Sequence, residues 1–227
     1  FEKGNVSGLP FSFNQEVTEV FEDMIDRSVP GYNTTLKIIQ QQAKNHYIDG
    51  SNVYDLGCSL GASTSSLLNA LNGRSKVIAI DNSDSMIRSC RERFSRSIQA
   101  EQVKFLKEDI SQSEIVNASI VVINFVLQFL SIKEREGLMQ KIYQGLVPGG
   151  VLILSEKVHF DAKKRTAEIS KIHHFFKATN GYSKLEISSK RDSLEGVLVT
   201  ETESQHINRA KKLGFIEASV VTSCLDI

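Results

Sequence analysis

Val53-Tyr54-Asp55-Leu56-Gly57-Cys58-Ser59-Leu60-Gly61 sets the narrowest limit on what this chain can fold into. A short apolar run leads into an acid and then a glycine-rich turn. Thr64 to Leu71 then has the pattern of a helix. Strand, turn and helix start together make a nucleotide-binding corner. Glycine permits close backbone approach, and the free N–H groups of a first helical turn favour electron-rich ligand atoms.

The same alternation continues along the chain. Val77 to Ile80, Val103 to Leu106, Ser119 to Asn124 and Val151 to Ser155 are strand candidates. Ser63 to Leu71, Asp84 to Phe94 and Lys133 to Leu146 are amphipathic helix candidates between them. Short β-rich runs alternating with helices predict an α/β fold, a doubly wound, mostly parallel, Rossmann-like sheet. Asp81-Asn82-Ser83-Asp84-Ser85 caps the second helix, and Pro148-Gly149-Gly150 is read as a turn closing the helix before the fifth strand. Two regions exceed the bare repeat. Helices near Gln15 to Arg27 and Thr34 to Tyr47, joined by Ser28-Val29-Pro30-Gly31-Tyr32, form an N-terminal helical cap over residues 1–50. A polar, helix-rich insertion occupies 159–203, followed by a helix at Glu203 to Leu213 and a sixth strand at Phe215 to Val221. A length of 227 residues without repeats or a low-complexity linker fits a single domain over 1–227.

Composition excludes several classes of function. Lys plus Arg and Asp plus Glu both number 27, so no strongly basic nucleic-acid surface is expected. The three cysteines, Cys58, Cys90 and Cys224, are scattered, lack metal-ligand spacing and fit a reducing, cytoplasmic setting. The longest apolar run, Ile120 to Leu130, is interrupted by Asn124 and Gln128 and is too short for a bilayer. No signal peptide is visible, and the chain starts at Phe1 rather than Met.

The acid before the turn selects the nucleotide. A dinucleotide fold wants G-x-G-x-x-G, whereas here Gly57 and Gly61 flank Ser59. Asp55 would repel a pyrophosphate but tolerates a ligand with a cationic amino-acid part. S-adenosylmethionine (SAM), with a sulfonium, an ammonium and no phosphate, fits. D-x-G-x-x-x-G with a second acid, Asp81, resembles the class I SAM-dependent methyltransferase fold. In that fold a carboxylate placed as Asp81 accepts both ribose hydroxyls. Asp109 falls where the adenine amino group is held, and Asn124 next to the reacting end of the ligand. Each acid alone has a structural reading, Asp55 as a loop acid and Asp81 as a helix cap. Together, at the carboxyl ends of successive strands, they fall where open α/β sheets bind ligands.

Longer stretches resemble one family within this fold, carboxy-S-adenosyl-L-methionine synthase. They include Arg27 to Tyr32, Val53 to Ala62, Ile80 to Ser83, Asn124-Phe125 with Leu127 to Leu130, and Lys141 to Leu146. Leu154 to Lys157, His173-His174, Asn180 to Ser183 and Leu185 to Ser188 with Lys190-Arg191 continue the match. The resemblance implies a cofactor site of Tyr32, Asp55, Gly57, Cys58, Ser59, Asp81, Asn82, Asp109, Ile110 and Asn124. It places Arg191 on a carboxylate, with Tyr32 and Arg191 as the catalytic pair. The implied reaction takes SAM and prephenate to carboxy-SAM and phenylpyruvate. A separate enzyme then uses carboxy-SAM in tRNA wobble-uridine (cmo5U) modification. The sulfonium acidifies its methyl hydrogens, and the hydroxide leaving prephenate takes the proton, so no protein base is needed. The protein supplies positioning and charge matching. A homodimer is implied, with the insertion near the partner's pocket; no direct nucleic-acid or membrane contact is expected.

Competing readings stand beside this one. An ordinary SAM-dependent methyltransferase acting on a small molecule or tRNA uridine uses the same corner, and so does a non-catalytic SAM-binding protein. Arg191 beside Lys190 also reads as a solvated arginine, and Tyr32 as a turn aromatic. Cys58 has no evident base and contributes its backbone to the turn. His173 and His174 lack the i, i+4 spacing of a two-histidine metal site and suit packing or hydrogen bonding. Val220 to Ile227 departs from the family's closing aromatic segment and final strand, which leaves a seventh, antiparallel strand open.

Overall fold

A computed structural model describes residues 15–194 and 196–227; the side chains of Lys190, Arg191 and Ser193 lie outside that description. Two helices, α1 (Gln15–Ser28) and α2 (Tyr32–His46), precede β1 (Asn52–Leu56). Then come α3 (Ala62–Leu71), β2 (Val77–Asp81), α4 (Asp84–Arg93), a short α5 (Ser95–Gln99) and β3 (Val103–Lys107). After β4 (Ala118–Asn124) a single 3-10 turn at Leu127–Phe129 leads to α6 (Ile132–Gly145) and β5 (Leu146–Ser155). Helices α7 (Lys163–Thr179), α8 (Lys184–Leu194) and α9 (Glu203–Leu213) follow.

The strands form one five-stranded sheet in the order β3-β2-β1-β4-β5, and every pair is parallel. Order reverses beside β1, so the carboxyl ends of β1 and β4 flank the crevice where such sheets bind ligands. Side-chain alternation sends β1 to two cores. Val53 packs with Ile39, Leu67, Leu71 and Ile87 on the α2–α3–α4 face. Tyr54 and Leu56 pack with Leu138, Met139, Ile142 and Leu213 on the α6–α9 face. Burial on both faces explains why the central strands β1 and β4 read as apolar runs, whereas the edge strand β3 alternates.

Local chemistry sets the helix starts. Ser83 caps α4 by accepting the Met86 N–H. Reciprocal capping boxes start α6 at Ser131 and Glu134 and α9 at Thr202 and Gln205.

Two expectations are corrected. Pro148-Gly149-Gly150 does not separate α6 from β5, because β5 begins at Leu146, directly after the helix. The triplet sits at an irregularity where pairing jumps from Ala118–Leu146 to Ile120–Val151. Pro148 lacks an N–H and Gly149 has φ +84°, so the chain bulges there and pairs again. The sixth strand is absent: residues 215–221 join no strand pair among those described. Phe215 packs its ring against Tyr143, but the apolar residues beyond it are largely exposed, Ile216 fully so and Val221 at 63%. β-propensity without a sheet edge and a covered face does not make a strand. No antiparallel strand occurs among the described residues.

Candidate functional site

The carboxyl ends of β1, β2 and β4 open into a cavity of about 770 Å³. That lies within the size range of small-molecule sites. Its walls gather Tyr32, Gly57, Cys58, Ser59, Asp81, Asn82, Asp109, Ile110 and Asn124. The turn after β1 forms its floor. The Gly57 and Cys58 N–H groups both donate to the Ile80 carbonyl, at 2.8 and 3.0 Å, so the turn is stitched to β2. Gly57 has φ +76°, and a Cβ there would stand 2.4 Å from Val126 Cγ2. Only glycine fits both the conformation and the space.

Asp55 does not line the cavity. It follows Val53 on the face of β1 that packs against α3, and Thr64 Oγ1 donates a 2.5 Å hydrogen bond to its Oδ2. Burial pushes its carboxyl up to about 7, with a further push from Asp81, while the Thr64 bond opposes the rise. Asp55 thus acts on the cavity as a buried acid behind the turn.

Asp81 ends β2 and points into the site. The Ser59 N–H donates to its Oδ2 and the Ser83 N–H to its Oδ1, both at 2.9 Å. Those bonds orient the carboxylate and leave each oxygen with capacity for another donor. Burial raises its pKa against the opposing N–H bonds of Ser83, Ser59 and Asn82. Two acids at the strand ends, Asp55 buried and Asp81 partly buried, favour a cationic occupant with paired hydroxyls.

At the end of β4, Asn124 Nδ2 donates to Ser63 Oγ at 3.1 Å. Its Oδ1 is buried without a partner, and so is Gln128 Oε1. Both residues line the cavity. Buried acceptors without donors call for a ligand that brings N–H or O–H groups. The ammonium and ribose of SAM meet that requirement, so the residues present fit SAM.

The remaining expected residues divide. The Tyr32 ring at the start of α2 lies 6.1 Å from the Phe125 ring, centroid to centroid, and burial raises its hydroxyl pKa. Asp109 Oδ1 accepts the Ser111 N–H at 2.8 Å, which shapes the loop after β3 beside Ile110. The Cys58 thiol packs into the α3–α4 core. The hydrogen-bonded pairing of its thiol with Cys90, burial and the charge of Asp55 raise its pKa, so it is inert as a nucleophile and offers its backbone. Arg191 falls within α8, and its side chain lies outside the described residues.

Sequence reasoning missed a buried carboxylate. Glu156, directly after β5, accepts the N–H groups of Val126 (2.9 Å), Leu127 (2.7 Å) and Gln128 (3.1 Å). It anchors the 3-10 turn and with it Phe125 to Gln128 on the cavity wall. Burial pushes its carboxyl up to about 7 against those three bonds. An acid immediately after an apolar strand was the available signal. His173, Lys157 and Lys177 were missed as cavity residues. His173 Nε2 contacts the Ser28 carbonyl at 2.8 Å, in keeping with a hydrogen-bonding role.

Among the described residues no group of side chains is arranged to hold a metal ion. No described helix is long and apolar enough to cross a membrane.

Comparison with known proteins matches the geometry. Residues 53–150 match the family described as "Methyltransferase domain". Over 217 residues, the chain is 46% identical to "Carboxy-S-adenosyl-L-methionine synthase" of Shewanella halifaxensis, covering 95% of this chain and 89% of that one. The protein of the same name from Escherichia coli O1:K1 / APEC is also 46% identical, with 95% and 88% covered. Among solved structures, an O-methyltransferase family protein from Burkholderia thailandensis superposes with a TM-score of 0.62 at 15% identity, over 92% of this chain and 60% of that one. Haemonchus contortus phospholethanolamine N-methyltransferase 2, in complex with phosphomonomethylethanolamine and S-adenosylhomocysteine, gives 0.65 at 19% identity, over 90% and 43%. At those identities the two structures establish the shared class I fold.

Proposed function

Because the chain belongs to the carboxy-S-adenosyl-L-methionine synthase family, a group of SAM-dependent enzymes on the class I methyltransferase fold, we propose that it converts SAM and prephenate to carboxy-SAM and phenylpyruvate. The product then supplies cmo5U modification of tRNA through a separate enzyme. The extent of the likeness carries this reading: it runs through the strand-end cavity and on through the segment around Arg191, well beyond a generic SAM corner.

In this reading Asp81 accepts the ribose hydroxyls, Asn124 Oδ1 accepts an N–H of the amino-acid part, and Asp109 with Ile110 holds the adenine. Bound SAM supplies a sulfonium whose methyl hydrogens are acidified. Prephenate loses its ring carboxyl group and its hydroxide; the carboxyl group ends on the methyl carbon and the hydroxide takes the methyl proton as water. The protein holds the two reactants together and excludes water. Tyr32 and Phe125 wall the reacting end, while Arg191 grips the new carboxylate through a charge-assisted contact of roughly 1.5–3 kcal/mol. An ordinary methyltransferase has no such carboxylate to hold. The working form is a cytoplasmic homodimer.

Mass spectrometry of ligand extracted from the purified protein tests the reading. A species heavier than SAM by one carbon dioxide is expected, together with prephenate-dependent formation of phenylpyruvate. Arg191→Ala should lose preference for carboxy-SAM and keep SAM binding. Recovery of SAM alone, with no prephenate-dependent product, would leave an ordinary methyltransferase or a binding protein.

A further inference from the structure

Beside the strand-end acids, the cavity lining gathers basic groups. Lys157 follows β5, and His173 and Lys177 lie four residues apart on one face of α7. Asp226 answers two of these three groups. Its Oδ2 is 2.9 Å from Lys157 Nζ, and its Oδ1 is 2.7 Å from His173 Nδ1. The His173 ring is fixed from its other side by the Ser28 carbonyl. Lys177 is left over, a half-buried cavity lysine whose ammonium has no ion pair or hydrogen bond among the described residues. Burial, and then repulsion from Lys157, pulls its ammonium down to about 8 against a weaker attraction from Asp226, whose two oxygens are already engaged by Lys157 and His173. A cation withdrawn from water without a counter-ion is unfavourable until an anion joins it.

SAM brings two positive groups, which the acidic strand ends suit, so its sulfonium and ammonium give no reason for a further unpaired ammonium in the cavity. A carboxylate on the second substrate does. We propose that Lys177 binds the carboxylate of the co-substrate that stays with the departing 2-oxo acid, with the Asp226-bridged pair Lys157 and His173 holding that part of the lining in place. The assignment rests on the prephenate reading: prephenate carries two carboxylates, one transferred and one retained in phenylpyruvate. Arg191 and Lys177 then divide the work, one for the transferred group and one for the retained group.

Lys177→Met and Lys177→Arg test it in the full chain, with phenylpyruvate as the probe titrated into SAM-loaded protein. Lys177→Met is expected to weaken phenylpyruvate binding and raise the KM for prephenate, each by about tenfold or more. SAM affinity should stay within about twofold, and Lys177→Arg should recover most of the loss. Removing an uncompensated charge should leave the melting temperature unchanged or raised, so misfolding does not confuse the readout. Unchanged phenylpyruvate affinity and KM in Lys177→Met overturns the proposal. So does an equal loss of SAM affinity, which would assign Lys177 to the carboxylate of SAM itself. Failure of the functional reading is separate. Wild-type protein that makes no carboxy-SAM from prephenate yet binds phenylpyruvate through Lys177 refutes the reaction and retains the carboxylate site.

Discussion

Thr64 holds Asp55 beneath the glycine turn: its Oγ1 donates a 2.5 Å hydrogen bond to the Asp55 carboxylate, and both residues are buried. The acid that singles out this turn in the sequence is thus tied to α3 and reaches the cavity through its field rather than by contact. Two consequences separate. Asp55 braces the first strand to the first helix of the nucleotide corner, and its partial ionisation makes the corner sensitive to pH.

That sensitivity has a definite sign. Burial raises the folded-state carboxyl to about 7 from an ordinary 3.8. The folded state therefore holds the proton longer than the unfolded chain. The group's contribution to stability is full below about pH 4 and is lost as pH rises through 7. Asp55→Asn keeps an acceptor for Thr64 and removes the titration. Denaturant midpoints measured from pH 4 to 8 are expected to fall less steeply in Asp55→Asn than in wild type. Glu156, raised for the same first cause, keeps part of the slope. Parallel curves for the two proteins would rule out the shifted Asp55.

Gly57 meets two constraints at once, φ +76° and the Val126 methyl 2.4 Å from an added Cβ. Gly57→Ala should cost roughly 1–3 kcal/mol from backbone strain and overlap and push Val126 into the SAM cavity. Val126→Ala in the same chain relieves the overlap and leaves the positive φ. Calorimetric SAM binding should therefore recover partly in the double variant. No recovery, or no loss in Gly57→Ala, would contradict the close approach of the two residues.

How much of this was legible follows from the range of each interaction. β1 and β2 were readable because strands covered on both faces are short apolar runs, and β3 because Val103 and Phe105 are buried while Lys104 between them is exposed. The bounds of α9 were readable because Thr202 and Gly214 punctuate them. Residues 215–221 mislead because apolar, β-branched composition does not tell whether a sheet edge is available. Pro148-Gly149-Gly150 reads as a terminator because a bulge and a turn share the same residues. The strand-end acids are visible as a pattern, yet Asp55 and Asp81 face different ways, and only side-chain alternation against α3 separates them. Glu156 and Lys177 carry no local signal for their surroundings. One is defined by N–H groups about 30 positions earlier in the chain, the other by the return of α7 over the cavity and by Asp226.

Asn124 holds Ser63 with its amide nitrogen and presents a buried, unpartnered Oδ1 at the end of β4. Asn124→Ala should weaken SAM about fivefold to tenfold, the cost of one lost hydrogen bond. Its cost to the fold should be limited to the lost Asn124 Nδ2–Ser63 hydrogen bond, about 1 kcal/mol. Asn124→Leu fills the space without restoring the acceptor and should bind no better than Asn124→Ala. Equal SAM affinity in wild type and Asn124→Ala would remove Asn124 from the ligand's contacts.

Arg135 and Glu201 show a buried ion pair used for assembly away from the cavity. Their side chains are 1% and 6% exposed, and Arg135 Nη1 lies 2.7 Å from Glu201 Oε2. The same guanidinium donates to the Val199 carbonyl at 2.6 Å and the Leu130 carbonyl at 3.0 Å. Arg209 closes the group on the other carboxylate oxygen, so α6, α9 and residues 199–201 are joined through one acid. Burial raises the Glu201 pKa, but the bonds and charges of Arg209 and Arg135 outweigh it, and the carboxylate stays ionised. Removing one member strands the rest: Glu201→Gln or Arg135→Met should cost about 3–5 kcal/mol of stability. The double variant Arg135→Met/Glu201→Gln should lose less than the sum of the two, because neither charge is then left without its main partner. SAM affinity at a temperature where the variants remain folded should match wild type. A strictly additive double variant in urea unfolding would show that the two residues contribute independently.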